Sequence, residues 1–227
     1  MEIRKAQEQD IDAILELNRQ IGEIHFEQAP QVFCPPSPEE RTFLLAAIAG
    51  FVVGAVWTPL VTLGVHWGIT PVTVGNYATL GYDTFTGLQA SAVFGIAGAV
   101  FGVYFKAKDP ELKSVTLSAG VTALFGITEP AIYGVALRFK RPLICGCLAG
   151  AIGGTVAGAF NAVSWSYCIP GIAVLPVFFK EGHMAQFLGF LLSIGVAFTL
   201  GVIFSWMAGF QTDAEISQPQ PLTSKAV

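Results

Sequence analysis

The chain has 227 residues, of which 53% are hydrophobic and 12% are charged, and its mean hydropathy is +0.60. This composition is too apolar for an ordinary soluble domain and predicts a lipid bilayer as the solvent. The formal net charge of -4 arises at the two ends of the chain. Because no basic patch larger than a loop occurs, nucleic acid is not expected as a partner.

The predicted fold class is mainly α: a polytopic α-helical membrane protein with re-entrant hairpin segments, preceded by a short soluble α/β segment. The first 40 residues are charged and lack the apolar core of a cleavable signal peptide. Residues 10–21 have the periodicity of an amphipathic helix, and residues 37–40 have the pattern of a helix start. The predicted domains are a soluble fragment at 1–46, a membrane-embedded region at 47–210 and a polar flexible tail at 211–227.

Four uncharged stretches are at least about 18 residues long, the length that a helix needs to cross a bilayer. They are residues 43–63, 88–105, 142–163 and 186–210. Two shorter apolar stretches, 69–80 and 167–179, contain glycine and proline. Such interrupted segments are expected to be re-entrant or broken.

Residues 114–137 are numerous enough to cross but contain Glu129, Pro130 and several glycines. Three basic residues precede this segment and three follow it: Lys106, Lys108, Lys113, Arg138, Lys140 and Arg141. The positive-inside bias places both basic loops on the cytoplasmic side, whereas a single crossing would separate them. We therefore predict a re-entrant hairpin with its turn near Gly126 to Pro130.

A row of small residues recurs every four positions in the third predicted span, at Gly146, Gly150, Gly154 and Gly158. Such a row lets another helix backbone approach closely. Tight static packing is the favoured interpretation, and a moving interface is the alternative.

Glu129 is the strongest candidate for a functional side chain, because a carboxylate at membrane depth is costly and usually faces a polar cavity. The neighbouring Pro130 interrupts the helix beside Thr128 and Glu129 and leaves backbone carbonyls free. Carbonyls and a carboxylate together suit the hydroxyls of a sugar. The alternative is that Glu129 lies in a solvated loop or forms a structural pair with Arg138 or Lys140.

Weaker candidates follow the first predicted span. His66 could bond a sugar hydroxyl and Trp67 could stack on a sugar face, although an interfacial aromatic belt explains them equally well. Asn76 adds a polar group to the 69–80 segment, whereas Asp83 and His183 are interpreted as solvated loop residues.

Catalytic and cofactor motifs are missing from the sequence, including the P-loop, GxSxG, GxGxxG and HExxH patterns. The four cysteines show no metal-ligand spacing. We predict no catalytic residue, no metal and no cofactor.

Residues 124–135, which read LFGITEPAIYGV, closely resemble a signature of the membrane-embedded IIC domain of bacterial phosphotransferase-system sugar permeases. The resemblance is to the beta-glucoside, sucrose and trehalose branch of the glucose superfamily. Residues 64–68, residues 78–83 and the Lys-Arg-Pro turn at 140–142 support it in the same order. It extends over roughly residues 47–209.

This resemblance implies a multi-pass protein of the bacterial inner membrane that binds a beta-glucoside or disaccharide. A partner IIB domain, itself charged by IIA, would phosphorylate the sugar from a phosphocysteine. Glu129 and His66 would hold sugar hydroxyls, and a homodimer is possible. The chain would be at most the membrane subunit of a phosphotransferase, because it carries no phosphoryl-accepting residue of its own.

Two departures from the family pattern are expected. The IIB and IIA motifs and the amino-terminal half of the IIC domain are missing. Residues 2–6 (EIRKA), 10–14 (DIDAI) and 33–37 (FCPPS) instead make residues 1–46 resemble the start of a GNAT acetyltransferase. The acetyl-CoA pyrophosphate loop of that family is also missing, so acetyl transfer is not expected. The alternative function is an inactive truncated or fused product that joins an acetyltransferase start to a permease fragment.

Overall fold

A computed structural model describes residues 43–210, apart from the side chain of Phe43. The predictions for the soluble fragment up to residue 42 and for the tail from residue 211 lie outside these described residues. Within them the chain is helical, and β-type pairing is limited to one isolated antiparallel bridge between Asp83 and Ser164. The mainly α fold class is therefore confirmed.

The helices are joined by short connections, apart from the long irregular segment 160–183, and two of the connections contain 3₁₀-helical turns. In chain order they are α1 (Phe43–Thr62), a 3₁₀ turn (Val65–Ile69), α2 (Thr70–Leu80), α3 (Thr84–Lys106), α4 (Pro110–Leu124), α5, α6 (Arg141–Ala159), a second 3₁₀ turn (Ile172–Phe178) and α7 (Met184–Ala208). The helix α5 has three consecutive parts, Glu129–Ala131, a π-helical turn Ile132–Ala136 and Leu137–Phe139.

Among the described residues, four helices are long and apolar enough to cross a membrane: α1, α3, α6 and α7. They coincide with the four predicted spans, and only their ends differ by a few residues. The helix α2 has 11 residues and extends over about 16 Å, which is too short to cross. The prediction of four helices able to span a membrane is confirmed, whereas the re-entrant or broken character of the 69–80 segment stays a prediction.

The helix α3 lies at the centre of the bundle, in contact with α1, α4, α6 and α7. Its many Gly, Ala and Ser residues let neighbouring backbones come close. A Cβ at Gly98 would meet the backbone of Phe198 in α7, and a Cβ at Gly95 would meet that of Gly150 in α6. This packing buries 78% of the apolar window of α3.

The predicted glycine row of α6 packs against α1, and the two helices run antiparallel. A Cβ at Gly154 would collide with the carbonyl oxygen of Gly50, and a Cβ at Gly158 would collide with that of Ala46. Only glycine permits such a close approach at these positions. The row therefore packs tightly against α1, and the choice between a static and a moving interface stays a prediction.

A helical hairpin is formed by α4 and α5, which are joined by a turn at residues 125–128. Gly126 adopts a left-handed backbone conformation there, with φ of 95°. The inner face of the hairpin packs against the carboxyl-terminal half of α3, in a buried cluster of Ala97, Val100, Val103, Ala119, Ala123, Ala131, Val135 and Phe139. The chain therefore reverses where the sequence predicted, and neither arm is long enough to cross a bilayer.

Both ends of the hairpin lie at the same end of the bundle. Lys106, just before the hairpin, donates a hydrogen bond from Nζ to the carbonyl oxygen of Trp206 (2.9 Å). Arg141, just after it, donates to the carbonyl oxygen of Ala208 (3.1 Å). Both cations satisfy carbonyls in the last turn of α7, where the helix dipole favours positive charge. This arrangement agrees with the prediction that the two basic loops share one side.

The outer surfaces of α1 and α7 are apolar and exposed. In α1, Leu44, Leu45 and Ile48 are each at least half exposed, as are Leu188 and Leu192 in α7. Exposed large aliphatic side chains in such number are typical of a surface that contacts lipid tails rather than water. The chain is accordingly a membrane protein.

Candidate functional site

A cavity of about 160 Å³ lies between the tip of the hairpin, the end of α1 and the beginning of α3. The irregular segment 167–170 forms another part of its wall. Its lining combines aromatic, aliphatic and polar side chains: Trp57, Val61, His66, Trp67, Ile69, Thr70, Thr73, Thr86, Gln89, Val93, Gly126, Ile127, Thr128, Glu129, Tyr167, Cys168, Ile169 and Pro170. A mainly apolar cavity with a few convergent polar groups is the usual form of a small-molecule site.

Four of the five residues predicted for the substrate site line this one cavity. Thr128 and Glu129 come from the hairpin tip, and His66 and Trp67 come from the 3₁₀ turn after α1. These two segments are about 60 residues apart in sequence and meet only through the fold. The fifth residue, Asn76, does not line the cavity, since its side-chain amide donates a hydrogen bond to Asp83.

Glu129 is placed by the way in which the hairpin turns. The helix α4 ends at Leu124, and α5 begins at Glu129 with Pro130 in its first turn, a position that proline favours because it needs no backbone donor there. Glu129 is therefore a half-buried carboxylate in the first turn of a helix, where the backbone dipole favours negative charge. Thr128, which is 6% exposed, lies directly beside it.

His66 is placed by a sharp turn after α1. Gly64 takes a left-handed conformation with φ of 75°, and the following 3₁₀ turn carries the imidazole back against the indole of Trp57, with the ring centroids 5.7 Å apart. Its Nδ1 atom is buried and has no hydrogen-bond partner among the described residues. Because a buried polar atom without a partner is costly, this nitrogen is free to bind a ligand or water.

Trp67 is 62% exposed, and its ring centroid lies 5.5 Å from that of His66. The indole therefore lies at the edge of the cavity rather than inside it. An exposed indole has an open face for stacking, and its position also suits an aromatic residue at the membrane interface.

Tyr133 ties the two cavity-lining segments together. Its hydroxyl lies 3.2 Å from the carbonyl oxygens of both Val61 and Thr62, at the end of α1. It can donate to either of these carbonyls, and that of Thr62 is one that the ending helix leaves without an intrahelical partner. The π-helical turn that carries Tyr133 directly follows the segment Glu129–Ala131. Thus one side chain joins the hairpin tip to the start of the His66 turn.

The prediction that Asp83 lies in a solvated loop is wrong, because the residue is only 1% exposed. One carboxylate oxygen accepts a hydrogen bond from the amide of Asn76 and the other accepts one from the backbone N–H of Thr86, both at 2.6 Å. As the N-cap of α3, Asp83 satisfies a backbone donor that the helix leaves free. In the sequence Asp83 follows Gly81 and Tyr82, and neither neighbour indicates that its side chain is buried.

Sequence analysis did not identify Thr86 and Gln89 as cavity residues. They are three positions apart near the start of α3, so they share one helix face with Val93, which also lines the cavity. The spacing of this polar pair at the edge of an apolar span was the available signal. It was missed because Thr86 lies just before the predicted span 88–105 and Gln89 is a single uncharged polar residue at its start.

Burial alters the acidity of two groups beside the cavity, outside the four long helices. It raises the pKa of the Tyr77 hydroxyl to about 12, while hydrogen bonds with Ser164 and Thr86 act in the opposite direction. Burial likewise raises the pKa of the Cys168 thiol, against the effect of a hydrogen bond with Ser164. Both groups are therefore protonated at neutral pH and serve as neutral hydrogen-bonding groups.

Together, these features define a class: a helical membrane protein with a mainly apolar cavity where a hairpin tip meets the first half of α3. Residues 43–150 match the family model described as the phosphotransferase system, EIIC. The membrane region of this chain belongs to that family.

Curated relatives support the same assignment. The chain is 38% identical to the beta-glucoside-specific EIIBCA component of Dickeya chrysanthemi, over 81% of this chain and 29% of the relative. It is 33% identical to the arbutin-, cellobiose- and salicin-specific EIIBC component of Escherichia coli (strain K12), over 70% of this chain and 33% of the relative. A sucrose-specific EIIBC component of Salmonella typhimurium is 32% identical over 74% of this chain and 36% of its own length.

The chain thus spans about a third of the length of these curated relatives. No solved structure shows a significant match. The family assignment therefore rests on the sequence matches and agrees with the helical fold.

Proposed function

We propose that this chain is a sugar-translocating component of a phosphoenolpyruvate-dependent phosphotransferase system. Its described region would bind a beta-glucoside or a related disaccharide in the cavity between the hairpin tip and the 3₁₀ turn after α1. Phosphoryl groups would come from partner IIB and IIA proteins. We further propose that it is a multi-pass protein of the bacterial inner membrane.

The observation that carries this proposal is the convergence of Glu129, Thr128 and His66 on one cavity in a chain of the EIIC family. A carboxylate accepts hydrogen bonds from sugar hydroxyls, a threonine hydroxyl can donate or accept, and an imidazole nitrogen without a partner adds a third polar contact. Trp57 and Trp67 supply aromatic surface for the apolar face of a pyranose ring. This combination suits a neutral polyol better than an ion or an apolar ligand.

The position of the cavity also suits translocation. The hairpin packs along the carboxyl-terminal half of α3. Its tip therefore lies near Val93 of α3, and both line the cavity. Transporters place substrate sites at such mid-depth breaks in helices, where the interrupted backbone faces a cavity and not lipid. Glu129 is consequently a carboxylate that lipid does not have to solvate.

Glu129 would orient the acceptor hydroxyl as well as bind it. Phosphoryl transfer depends mainly on positioning of the attacking oxygen and on electrostatics. A carboxylate bonded to that hydroxyl fixes its direction, while the phosphoryl donor approaches from a partner protein. The chain's own part would be binding and positioning, and the beta-glucoside preference is proposed from the printed specificities of its relatives.

The experiment that tests this function uses membranes containing the full chain, supplied with IIB, IIA and a phosphoryl source. We expect phosphorylation of salicin or arbutin that depends on the chain and is lost when Glu129 is replaced by Gln. The same membranes without the chain are the control. If membranes with the chain neither bind nor phosphorylate any beta-glucoside or disaccharide, the proposed function is wrong.

A further inference from the structure

Asp83 lies at the junction of three segments that each contribute to the cavity wall. These segments are α2, the first turn of α3 and the irregular stretch 164–170, which provide Thr73, Thr86 and Cys168 to the lining. The carboxylate is 1% exposed and does not itself line the cavity. Its bonds therefore concern the arrangement of the wall and not contact with a ligand.

Each segment is fastened to Asp83 by a hydrogen bond. The side chain accepts one from Asn76 in α2 and one from the backbone of Thr86 in α3, both at 2.6 Å. The backbone of Asp83 pairs with that of Ser164 in both directions, with N–O distances of 2.9 and 2.8 Å. One residue thus connects all three parts of the wall.

Further contacts connect the partners of Asp83 to residues that line the cavity. The Tyr77 hydroxyl, one position after Asn76, donates to the hydroxyl of Thr86 at 3.1 Å. The Ser164 hydroxyl lies 3.7 Å from the thiol sulfur of Cys168 and donates to the carbonyl oxygen of Ser166 at 2.8 Å. Thr86 and Cys168 are therefore set by groups that depend directly on Asp83.

An aspartate that only caps a helix need not be buried and need not bond a second helix. Asp109 caps α4 through a hydrogen bond from the backbone N–H of Leu112, but that bond is exposed. A buried carboxylate is costly to desolvate and is retained only where strong hydrogen bonds offset the cost. At Asp83 both oxygens have such bonds, and one of them reaches a different helix.

We infer that Asp83 is a positioning residue that fixes α2, the start of α3 and the 164–170 segment as one wall of the cavity. Its role in sugar binding rests on the function proposed above. Asn76, which sequence analysis assigned to the substrate site, is then a partner of this residue. Because Tyr77 of α2 also bonds Ser164, and Ser164 contacts Cys168, loss of the carboxylate should loosen α2 and with it the wall around Cys168, while the spanning helices keep their packing.

Alkylation of cysteines by N-ethylmaleimide in the full chain, resolved by peptide mass spectrometry, measures this loosening without any sugar. Each rate is followed over pH and expressed per ionised thiol, because burial raises the pKa of the Cys168 thiol and the Asp83 charge adds to that rise. Asp83→Ser keeps an N-cap oxygen for α3 but is too short to hold Asn76 as well. We expect it to raise the alkylation rate of Cys168 about tenfold, as for loss of one charge-assisted hydrogen bond. The rate at Cys145, buried in α6, should stay unchanged.

Two further variants make the test specific. Asp109→Ser alters the other aspartate cap and should leave the rate at Cys168 unchanged. The double variant Asn76→Asp with Asp83→Asn restores a donor–acceptor pair between the two positions and keeps an acceptor for Thr86, so it should return the rate to that of the natural chain. An unchanged rate at Cys168 in Asp83→Ser, or an equal rise at Cys145, would overturn the inference.

Sugar affinity of the same variants separates this inference from the proposed function. With salicin as the probe, Asp83→Ser should weaken binding and the double variant should restore it. If the natural chain binds no salicin while the change at Cys168 remains local to Asp83→Ser, the proposed function fails and the positioning role stands. If the natural chain binds and Asp83→Ser binds equally well, the positioning role is wrong.

Discussion

At the scale of single residues, an ionisable side chain inside an apolar segment indicated a cavity residue, whereas uncharged polar side chains near the end of a segment did not. Glu129 could be predicted because an acid inside an apolar segment is costly unless it faces a polar cavity. Asp83 could not, because its burial depends on Asn76 and Ser164. Thr86 and Gln89 were missed because threonine and glutamine near the end of a span resemble ordinary boundary residues.

His66 gives a prediction at this scale. Replacing it by Phe removes the buried nitrogen that has no partner but keeps an aromatic ring beside Trp57. We expect the affinity for a beta-glucoside to fall about tenfold, in line with the loss of one hydrogen bond to the ligand. Titration calorimetry on the purified chain measures it.

The matched control is His183→Phe, since that imidazole is exposed and stands next to Trp165, away from the cavity. Its affinity should equal that of the natural chain. Equal losses in both variants would show that His66 acts through general stability and not through the ligand.

At the scale of helices, composition predicted the four spans because 18 or more apolar residues in a row have few alternatives to a crossing helix. It also predicted the glycine row of α6, but it could not identify the partner of that row. The close approach involves Gly50 and Gly54 of α1, and which helix supplies the matching small residues is decided by tertiary packing. The sequence therefore did not predict which helices are neighbours in the bundle.

The glycine contacts give a prediction at this scale. Gly154→Ala would place a methyl group against the carbonyl oxygen of Gly50 and force α1 and α6 apart. Overpacking of this kind costs about 1–3 kcal/mol. The midpoint temperature of unfolding in detergent should therefore fall by several degrees.

Gly195→Ala in α7 is the control, because a Cβ there would meet no atom within 4 Å among the described residues. Alanine also favours a helix over glycine, so its midpoint should stay the same or rise slightly. A midpoint for Gly154→Ala that matches that of Gly195→Ala would contradict the close packing of α1 and α6.

At the scale of the whole molecule, the hairpin accounts for the position of both basic loops at one end of the bundle. Charge on both sides of residues 114–137 predicted that the two loops share a side. In the structure, Lys106 and Arg141 both bond the last turn of α7, which brings the two ends of the hairpin together. The depth of the hairpin tip could not be predicted, because it is set by packing against α3.

Side-specific labelling tests this topology in intact membrane vesicles. Single cysteines at Lys108 and Lys140, in a chain whose natural cysteines are alanine, should react with a membrane-impermeant maleimide from the same side. A cysteine at Glu181, in the connection that precedes α7, should react only from the other side. Labelling of Lys108→Cys and Lys140→Cys from opposite sides would show that residues 114–137 cross the membrane.

We propose that the Glu129 carboxylate binds sugar in the cavity at the hairpin tip. Titration of the purified full chain with salicin tests it most directly, with Glu129→Gln compared against Glu111→Gln. Glu111 is an exposed carboxylate in the first turn of α4, the other arm of the same hairpin. We expect Glu129→Gln to weaken binding by about tenfold or more and Glu111→Gln to leave it unchanged. Equal affinity of Glu129→Gln and the natural chain would show that this carboxylate does not bind the sugar, and no binding by the natural chain would overturn the proposed function.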